Sequence, residues 1–201
     1  NAIAGAQEHG VYAYMKHFAL NDQEGNRNCM VATWSNEQAI REIYLKPFEM
    51  SVKDADCHAV MSSFNYIGNR WAGGCSELLQ NGEWGFLGFV ETDYFGVYGY
   101  MTADQAVRNG GDLMLCTTGN DYNNVTVLTN SSKQAMRTSA KNILYTVVNS
   151  RAYEAENLNP GMAKWKIVLI GADVVAALLI VGLEYTAIKN YKKRKEEEEE
   201  V

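Results

Sequence analysis

The sequence predicts an α/β fold built on a parallel sheet, with one membrane-spanning helix after it. In the first 150 residues an apolar strand pattern followed by a helix pattern occurs four times, which is typical of a parallel sheet with helical crossovers. The strand segments are apolar on both faces, as expected for strands that are covered on both sides. Near the C-terminus, an apolar segment of 23 residues is long enough to cross a bilayer, which requires about 20 residues.

The four predicted strands are separated by polar or glycine-rich loops and by segments with helical spacing of apolar residues. We expect the first helix to begin at Ser35, with Gln38 completing a capping box. Thr102 is expected to cap the start of the third helix, and Gly110 and Gly111 to end it. The strands are predicted at residues 11–19, 58–65, 86–93 and 111–117, and the second and fourth helices at residues 76–85 and 131–153.

Two architectures fit this alternation, an open doubly wound sheet and a (β/α)8 barrel. A dinucleotide-binding sheet would carry a GxGxxG turn after a strand, and the sequence has none. A complete barrel has eight units over roughly 250 residues, whereas this chain has four. The first ten residues, "NAIAGAQEHG", resemble the middle of a helix and not a signal peptide. We therefore expect a piece of a longer protein that folds poorly alone, because half a barrel exposes two strand edges.

Composition argues against nucleic-acid binding and metal coordination. The net charge is −6, but five of the 24 acidic residues form a run at 196–200, so the rest of the chain is nearly neutral. A nucleic-acid-binding domain needs Lys and Arg clustered on one face. The four cysteines lie far apart, without the CxxC or Cys/His spacing of a zinc site. We expect no nucleic-acid partner, no metal and no cofactor.

The apolar segment at residues 165–188 has the features of a membrane anchor. Trp165 and Tyr185 lie where interfacial aromatic residues belong, and five basic residues follow the segment closely. The positive-inside rule then places the C-terminus in the cytoplasm and the rest outside. Asp173 lies well inside the segment, where an acid costs about 2.5–3.5 kcal/mol, and Glu184 lies near its end. The alternative is a buried helix of a soluble domain.

Polar residues collect where the predicted strands end. In a barrel these ends form the functional face. Lys16 and His17 end the first strand, residues 61–65 the second, and Asp93 with Tyr94 the third. A cation and an imidazole can bind sugar hydroxyls, a carboxylate can attack an anomeric carbon, and aromatic rings can stack on a sugar. The alternatives are plain: the aspartate could be a turn or helix cap, and the histidine a packing or capping residue.

Five motifs in order resemble the second half of the catalytic barrel of glycoside hydrolase family 3. This family includes β-glucosidases, β-xylosidases and β-N-acetylglucosaminidases, and the resemblance covers residues 5–150. It implies the C-terminal half of a (β/α)8 TIM-type barrel of four βα units. The motifs are "KHFALNDQEGNR", "REIYLKPFE", "VMSSFN", "NGEWGFLGFVETD" and "VRNGGDLML".

The resemblance implies a role for each matching residue. Asp93 corresponds to the nucleophile, Lys16 and His17 to residues that bind sugar hydroxyls, and Met61 to a residue that lines the pocket. Two positions depart from the family's usual pattern: Phe64 stands where a tyrosine is common, and Tyr94 where a tryptophan is common. Phe64 therefore lacks a hydroxyl near the nucleophile, while Tyr94 can still stack on a sugar. The substrate-binding residues implied are Lys16, His17, Met61, Phe64 and Tyr94.

The implied activity is retaining hydrolysis of terminal β-D-glycosidic bonds, with an oligosaccharide or β-glycoside as substrate and a covalent glycosyl-enzyme on Asp93. A second carboxylate must serve as acid and base, and in the family it usually comes from a separate domain. We therefore expect an upstream half-barrel and an acid/base domain as partners. The alternative is a non-catalytic carbohydrate-binding or structural surface protein with a decayed barrel.

Together these features predict four segments of a single-pass protein of the cell membrane. The catalytic part faces outward, the C-terminus is cytoplasmic, and the anchor contacts membrane lipid. The segments are a partial family 3 barrel at 1–155, a linker at 156–164, a transmembrane helix at 165–188 and a charged tail at 189–201.

Because adjacent residues of a regular strand point to opposite faces, Lys16 and His17 can share a ligand only if the strand end is irregular, for example through a non-proline cis bond.

Overall fold

The computed structural model describes residues 1–80, 82–95, 98–116, 123–154 and 161–199. The chain divides into two compact units, Asn1–Tyr153 and Glu154–Val201. Part of the predicted linker and the last two residues of the predicted tail lie outside the described residues, as does Thr117 at the end of the fourth predicted strand.

The first unit alternates strands and helices, so the chain has the predicted α/β fold. A π-helical turn, Ile40–Tyr44, joins its second and third helices. Short 3-10 turns cover Ala72–Gly74, Gly82–Trp84 and Arg151–Tyr153. In chain order the elements are α1 (Ala2–Glu8), β1 (Tyr14–Phe18), β2 (Ala32–Thr33), α2 (Glu37–Ala39), α3 (Lys46–Lys53), β3 (Ala59–Ser62), β4 (Tyr66–Ile67), β5 (Arg70–Trp71), α4 (Ser76–Leu79), β6 (Phe89–Glu91), α5 (Ala103–Arg108) and α6 (Asn130–Asn149).

A parallel sheet with the strand order β1-β3-β6 positions the candidate site. Met15, Val60 and Val90 are paired across the three strands, so their side chains share one face. Met15 and Val60 belong to an apolar core there, against which residues of α3 and α4 pack. Burial of apolar side chains between a sheet and its helices is the main favourable contribution to such a fold. The opposite face carries Tyr14 and Phe89, whose rings meet edge to face at 5.5 Å.

The first three predicted strands are confirmed, each shorter than predicted, and the fourth is only partly formed. In the described residues the fourth segment pairs with β6 through a single parallel bridge, between Glu91 and Leu113. The Thr92 side-chain oxygen accepts the Leu115 amide at 3.1 Å, so a hydroxyl replaces a backbone carbonyl and the regular ladder stops. In the described part of the chain, β2, β4 and β5 form a second small sheet, and neither sheet closes into a barrel.

The predicted cap of the first helix at Ser35 is wrong by one residue. Asn36 precedes α2, and its side-chain oxygen accepts the Ala39 amide at 2.8 Å. With Asn36 as the cap, Gln38 is the second helical residue and not the third, so it cannot complete a capping box. Asparagine and serine cap helices about equally well, and therefore the local sequence does not distinguish the two positions.

The cap predicted for the third helix is confirmed, and the fourth helix is shorter than predicted. Thr102 accepts the Gln105 amide at the start of α5, and Gly110 follows its end with a φ of +101°, a conformation that glycine adopts without steric cost. A capping box between Thr129 and Ser132 starts α6, which ends at Asn149.

A second apolar cluster lies under the loops that follow the strands. Its members are Phe64, Trp71, Phe95, Met101 and Ala106, all buried. The indole N–H of Trp71 donates to the Ser63 carbonyl at 2.9 Å, which satisfies a buried polar group. This cluster holds the residues that immediately follow β3 and β6 in place.

Residues 161–199 of the second unit contain one helix, α7, at Lys164–Glu199. By length and composition this helix could cross a membrane, and its apolar part is not buried in the structure. Residues 165–188 lie within it, and the helix continues through the basic residues that follow.

Candidate active site

The end of β1 is irregular where Lys16 and His17 lie. The register against β3 shifts between Met15 and Phe18, and the Lys16–His17 peptide bond is cis, as is the next but one. The expected irregular strand end with a non-proline cis bond is therefore confirmed. Lys16 is exposed, and His17 is partly buried.

Asp93 follows β6 and uses its two carboxylate oxygens differently. Its Oδ1 accepts the Tyr94 amide at 2.7 Å, so a local turn contact does exist, as the capping alternative requires. Its Oδ2 lies 3.4 Å from Nε2 of His17 and 3.4 Å from Nη1 of Arg27. Asp93 is only 6% exposed, and a carboxylate this buried needs charged or hydrogen-bonding partners. One oxygen is thus held locally, and the other faces an imidazole and a guanidinium.

Arg27 is a site residue that the sequence reasoning missed. Its Nε lies 2.9 Å from a Glu24 carboxylate oxygen, and its guanidinium carbon lies 4.9 Å from the centre of the Phe64 ring. That distance is within the range of a cation–π contact. One signal was available, because Arg27 lies in the polar loop that leaves β1 directly after His17, on the functional side of the sheet.

The surroundings of His17 favour its neutral form. Burial is the largest cause and lowers the pKa of the imidazole below 6.5, and the nearby charges of Lys16 and Arg27 lower it further. The Asp93 carboxylate acts in the opposite direction, but it does not outweigh burial. At neutral pH His17 is therefore an uncharged group that can exchange hydrogen bonds with a hydroxyl.

Phe64 lies beneath Arg27 and not at an open surface. It is 3% exposed, and the Tyr98 ring meets it edge to face at 5.6 Å. The hydroxyl of Tyr100 donates to the Phe64 carbonyl at 3.2 Å. These contacts fix the ring, so its face provides a rigid support for the guanidinium.

The other two predicted substrate-binding residues differ in exposure. Met61 is buried on β3 and pairs in register with Glu91 of β6, so the two side chains share the face opposite the helix-covered core. The side chain of Tyr94 is exposed next to Asp93. The structure thus brings His17 directly to Asp93, with Lys16 adjacent, Met61 deeper on the sheet and Tyr94 at the surface.

Glu91 is a second carboxylate on the strand that leads to Asp93, and the sequence reasoning did not consider it. Burial raises its pKa, and a hydrogen bond with Tyr14 lowers it by less. Its position two residues before Asp93 places it deeper along the strand, away from the loops.

Within the described residues, no group of three or more His, Cys, Asp or Glu side chains is arranged to hold a metal ion, and the four cysteines are free.

The arrangement can perform nucleophilic chemistry on a polyhydroxylated substrate. A carboxylate oxygen that points at the open end of the sheet can act as a nucleophile. A neutral imidazole and an exposed ammonium beside it can orient hydroxyl groups. Side chains at the carboxyl ends of parallel strands converge in this way in many enzymes.

Comparison with known proteins gives the family. The family model described as "Glycosyl hydrolase family 3 N terminal domain" matches residues 1–144. β-Glucosidase B of Emericella nidulans is 42% identical over 114 residues, which are 55% of this chain and 13% of that protein. A β-glucosidase of Rhizobium radiobacter is 40% identical over 114 residues, with the same coverage of both chains. This chain therefore spans a small part of the length of these relatives.

Solved structures of β-glucosidases also resemble this chain. The structure of β-glucosidase 3B from Thermotoga neapolitana in complex with glucose matches with a TM-score of 0.65 and 30% identity, over 77% of this chain and 23% of that one. The crystal structure of a GH3 β-glucosidase from Bifidobacterium adolescentis matches with a TM-score of 0.66 and 28% identity, over 75% and 22% of the two chains. The family match covers well over half of the chain, and the chain belongs to glycosyl hydrolase family 3, within its N-terminal domain.

Proposed function

We propose that this chain carries the nucleophile of a retaining, β-glucosidase-like glycoside hydrolase. The observation that supports this most strongly is the position of Asp93: a buried carboxylate whose Oδ2 faces His17 and Arg27 at the ends of the strands. We propose further that the sheet β1-β3-β6 and the segment around Leu113 are four successive strands of a (β/α)8 barrel.

The proposed reaction has two steps. First, Oδ2 of Asp93 attacks the anomeric carbon, the bond from that carbon to the leaving-group oxygen breaks, and this oxygen takes the electron pair and a proton from an acid. Water, deprotonated by the same group, then attacks the anomeric carbon and releases Asp93 as a carboxylate. Lys16 and His17 bind sugar hydroxyls, Met61 lines the pocket, and Tyr94 stacks on the substrate. Phe64, predicted to bind substrate, contributes through Arg27.

The acid and base is proposed to come from another domain of a longer protein. Glu24 in the loop after β1 pairs with Arg27, Glu77 of α4 pairs with Arg70, and Glu83 of the turn Gly82–Trp84 pairs with Arg41. Each of these three carboxylates is engaged by a guanidinium of this chain, so none of them is proposed as the proton donor. The small share of the relatives that this chain spans leaves room for the other half of a barrel and for the acid-bearing domain.

We also propose that α7 anchors the protein as a single-pass helix, with the barrel outside the cell and residues 189–201 in the cytoplasm. The support is the length and apolar composition of the helix and the basic residues that follow its apolar part. Basic residues accumulate on the cytoplasmic side of membrane helices.

The proposed activity is tested by covalent trapping in the full-length protein that contains this chain. A 2-deoxy-2-fluoro-β-glucoside with a good leaving group should label Asp93, as read by mass spectrometry of the peptide, and Asp93→Ala should abolish labelling while thermal unfolding stays unchanged. Labelling of another residue would refute the assignment. Glucose binding without any labelling would favour the alternative, a non-catalytic carbohydrate-binding protein.

A further inference from the structure

We propose that Arg27 is a positioning residue for the nucleophile: it holds Oδ2 of Asp93 towards the substrate, and Phe64 holds Arg27. The inference rests on the proposed role of Asp93 as nucleophile. It adds a residue from a different part of the chain, 66 positions away from Asp93 in sequence.

The guanidinium of Arg27 is restrained from three directions. Its Nε pairs with Glu24 at 2.9 Å, its Nη1 lies 3.4 Å from Oδ2 of Asp93, and its central carbon lies over the Phe64 ring, 4.9 Å from the ring centre. A planar guanidinium with its donors fixed by several partners can direct one N–H at one oxygen. A lysine ammonium has no such plane and no fixed donor direction.

Arg27 supplies the lasting positive charge at the reacting oxygen. Oδ1 of Asp93 is occupied by the Tyr94 amide, which leaves Oδ2 as the oxygen free to attack. In the described part of the chain, the basic side chains that approach Oδ2 within 4 Å are those of His17 and Arg27, each at 3.4 Å. Burial lowers the pKa of His17, so at neutral pH the imidazole is uncharged and Arg27 alone carries the charge.

The distance between Arg27 and Asp93 suits this role. At 3.4 Å the contact is longer than the 2.7–2.9 Å of a strong charge-assisted hydrogen bond. An oxygen held by electrostatic attraction, without a short hydrogen bond, keeps its lone pairs available for bond formation. Arg27 therefore fixes the direction of the carboxylate and leaves Oδ2 able to attack the anomeric carbon.

Phe64 contributes its aromatic face. The side chain has no polar atom and is nearly fully buried, so it offers Asp93 no hydrogen bond. The ring is held by Tyr98 on one side and carries Arg27 on its face. A cation–π contact of this kind contributes about 0.5–2 kcal/mol, enough to select one orientation of the arginine.

The test compares Arg27→Gln and Arg27→Lys with Arg41→Gln in the full-length protein. Arg41 is a matched control because it also pairs with two carboxylates, those of Glu37 and Glu83, but at an exposed position. The readouts are the rate of Asp93 labelling by the fluoro-glucoside at saturation, the reagent concentration at half-saturation and the thermal unfolding midpoint.

We expect Arg27→Gln to slow labelling about 10²–10³-fold, the usual cost of losing one electrostatic group at a reacting centre, with half-saturation nearly unchanged. Added guanidinium ion should restore part of the rate, and Arg27→Lys should keep part of it. Arg41→Gln should match the unsubstituted protein. Phe64→Leu should slow labelling by less than Arg27→Gln, and its effect should disappear when combined with Arg27→Gln.

The outcomes separate the two proposals. If the unsubstituted protein is labelled at Asp93 and Arg27→Gln is labelled equally fast, the role of Arg27 is refuted while the proposed function stands. A slow Arg27→Gln that guanidinium does not restore, and whose unfolding midpoint has dropped, would also refute it, because the residue is then structural. If the unsubstituted protein is never labelled at Asp93, the proposed function fails and the inference fails with it.

Discussion

His17 lies next to the last residue of β1 and Asp93 two residues after β6, strands that are not hydrogen-bonded to each other, yet Nε2 of His17 lies 3.4 Å from Oδ2 of Asp93. Strand β3 lies between β1 and β6, and neighbouring strands are about 4.8 Å apart. The two side chains therefore reach across β3 and meet over its end. The irregular register at His17 accompanies this approach, and the pair forms the centre of the candidate site.

Replacement of His17 should weaken substrate binding and turnover together. We expect His17→Ala to lower kcat/KM of the full-length protein about 10–100-fold, because a hydrogen bond to a charged or developing polar group contributes about 1.5–3 kcal/mol. Steady-state hydrolysis of an aryl β-glucoside measures the effect. His9→Ala, at an exposed position after α1, is the control and should leave kcat/KM unchanged. An unaltered kcat/KM in His17→Ala would show that the imidazole does not touch the substrate.

Asp112 should make stability depend on pH in the acid range. Burial raises the pKa of this carboxyl from 3.8 to about 6, against hydrogen bonds from the Val90 amide and the Asn142 side chain that act in the opposite direction. The native state then holds the proton more tightly than the unfolded chain. The stabilisation that this group provides is complete below pH 3.8 and is lost as pH rises through 6.

Asp112→Asn should remove this dependence of the free energy of unfolding on pH. At about 1.36 kcal/mol per pKa unit, the free energy of unfolding of the variant relative to the unsubstituted protein should rise by up to about 3 kcal/mol between pH 3.5 and pH 7. Asp104→Asn is the control, because hydrogen bonds from Thr126 lower the pKa of Asp104. The free energy of unfolding of this variant, relative to the unsubstituted protein, should therefore fall as pH rises. Denaturant unfolding at a series of pH values measures both. Parallel pH profiles for Asp112→Asn and the unsubstituted protein would contradict the prediction.

Thr102 should stabilise the start of α5 through its side chain. Thr102→Ala removes the oxygen that accepts the Gln105 amide, and loss of such a cap costs about 0.5–2 kcal/mol. Hydrogen exchange should show faster exchange of the Gln105 amide, with little change in distant strands. Thr138→Ala, in the interior of α6 where the hydroxyl bonds back to the Gln134 carbonyl, should have little effect or a slightly stabilising one. Equal effects of the two substitutions would argue against the cap.

The basic residues after the apolar part of α7 should set its orientation. Five of them fall at 189–195, and two, Lys164 and Lys166, stand at its start; each contributes about 1 kcal/mol near an anionic inner surface. Protease treatment of intact cells should remove the family 3 unit, Asn1–Tyr153, and spare the tail, and carbonate washing should not release the protein. Survival of the family 3 unit with loss of the tail would show the opposite orientation, and release by carbonate would refute the membrane span.

Asp173 should weaken insertion of α7 without changing its direction. An acid near the centre of a span costs about 2.5–3.5 kcal/mol on insertion scales. Asp173→Leu should therefore raise the inserted fraction in a microsomal glycosylation assay, with the same ends glycosylated. Val174→Leu, at the adjacent position, should change little. A reversed glycosylation pattern in Asp173→Leu would show that the acid takes part in orientation.

The sequence by itself determined the three strands of the sheet β1-β3-β6 and the polar residues near their ends, but not the short strands β2, β4 and β5. Lys16, His17 and Asp93 were predicted as strand-end residues because strand periodicity and the chemistry of the residues that follow are local properties of the chain. The same holds for Thr102 at the start of α5. Local signals failed where two residues are equivalent by type, as Ser35 and Asn36 are for capping, since the choice between them depends on where the first helical turn packs.

The tertiary structure decided which of those residues act together. Arg27 and Asp93 are 66 residues apart, and no local pattern connects an arginine in a polar loop with a carboxylate two strands away. Likewise, the division of labour between the two oxygens of Asp93 follows from the Tyr94 amide on one side and from His17 and Arg27 on the other. Contacts of this kind arise from strand order and burial, which bring distant segments to one edge of the sheet and remove water from between them.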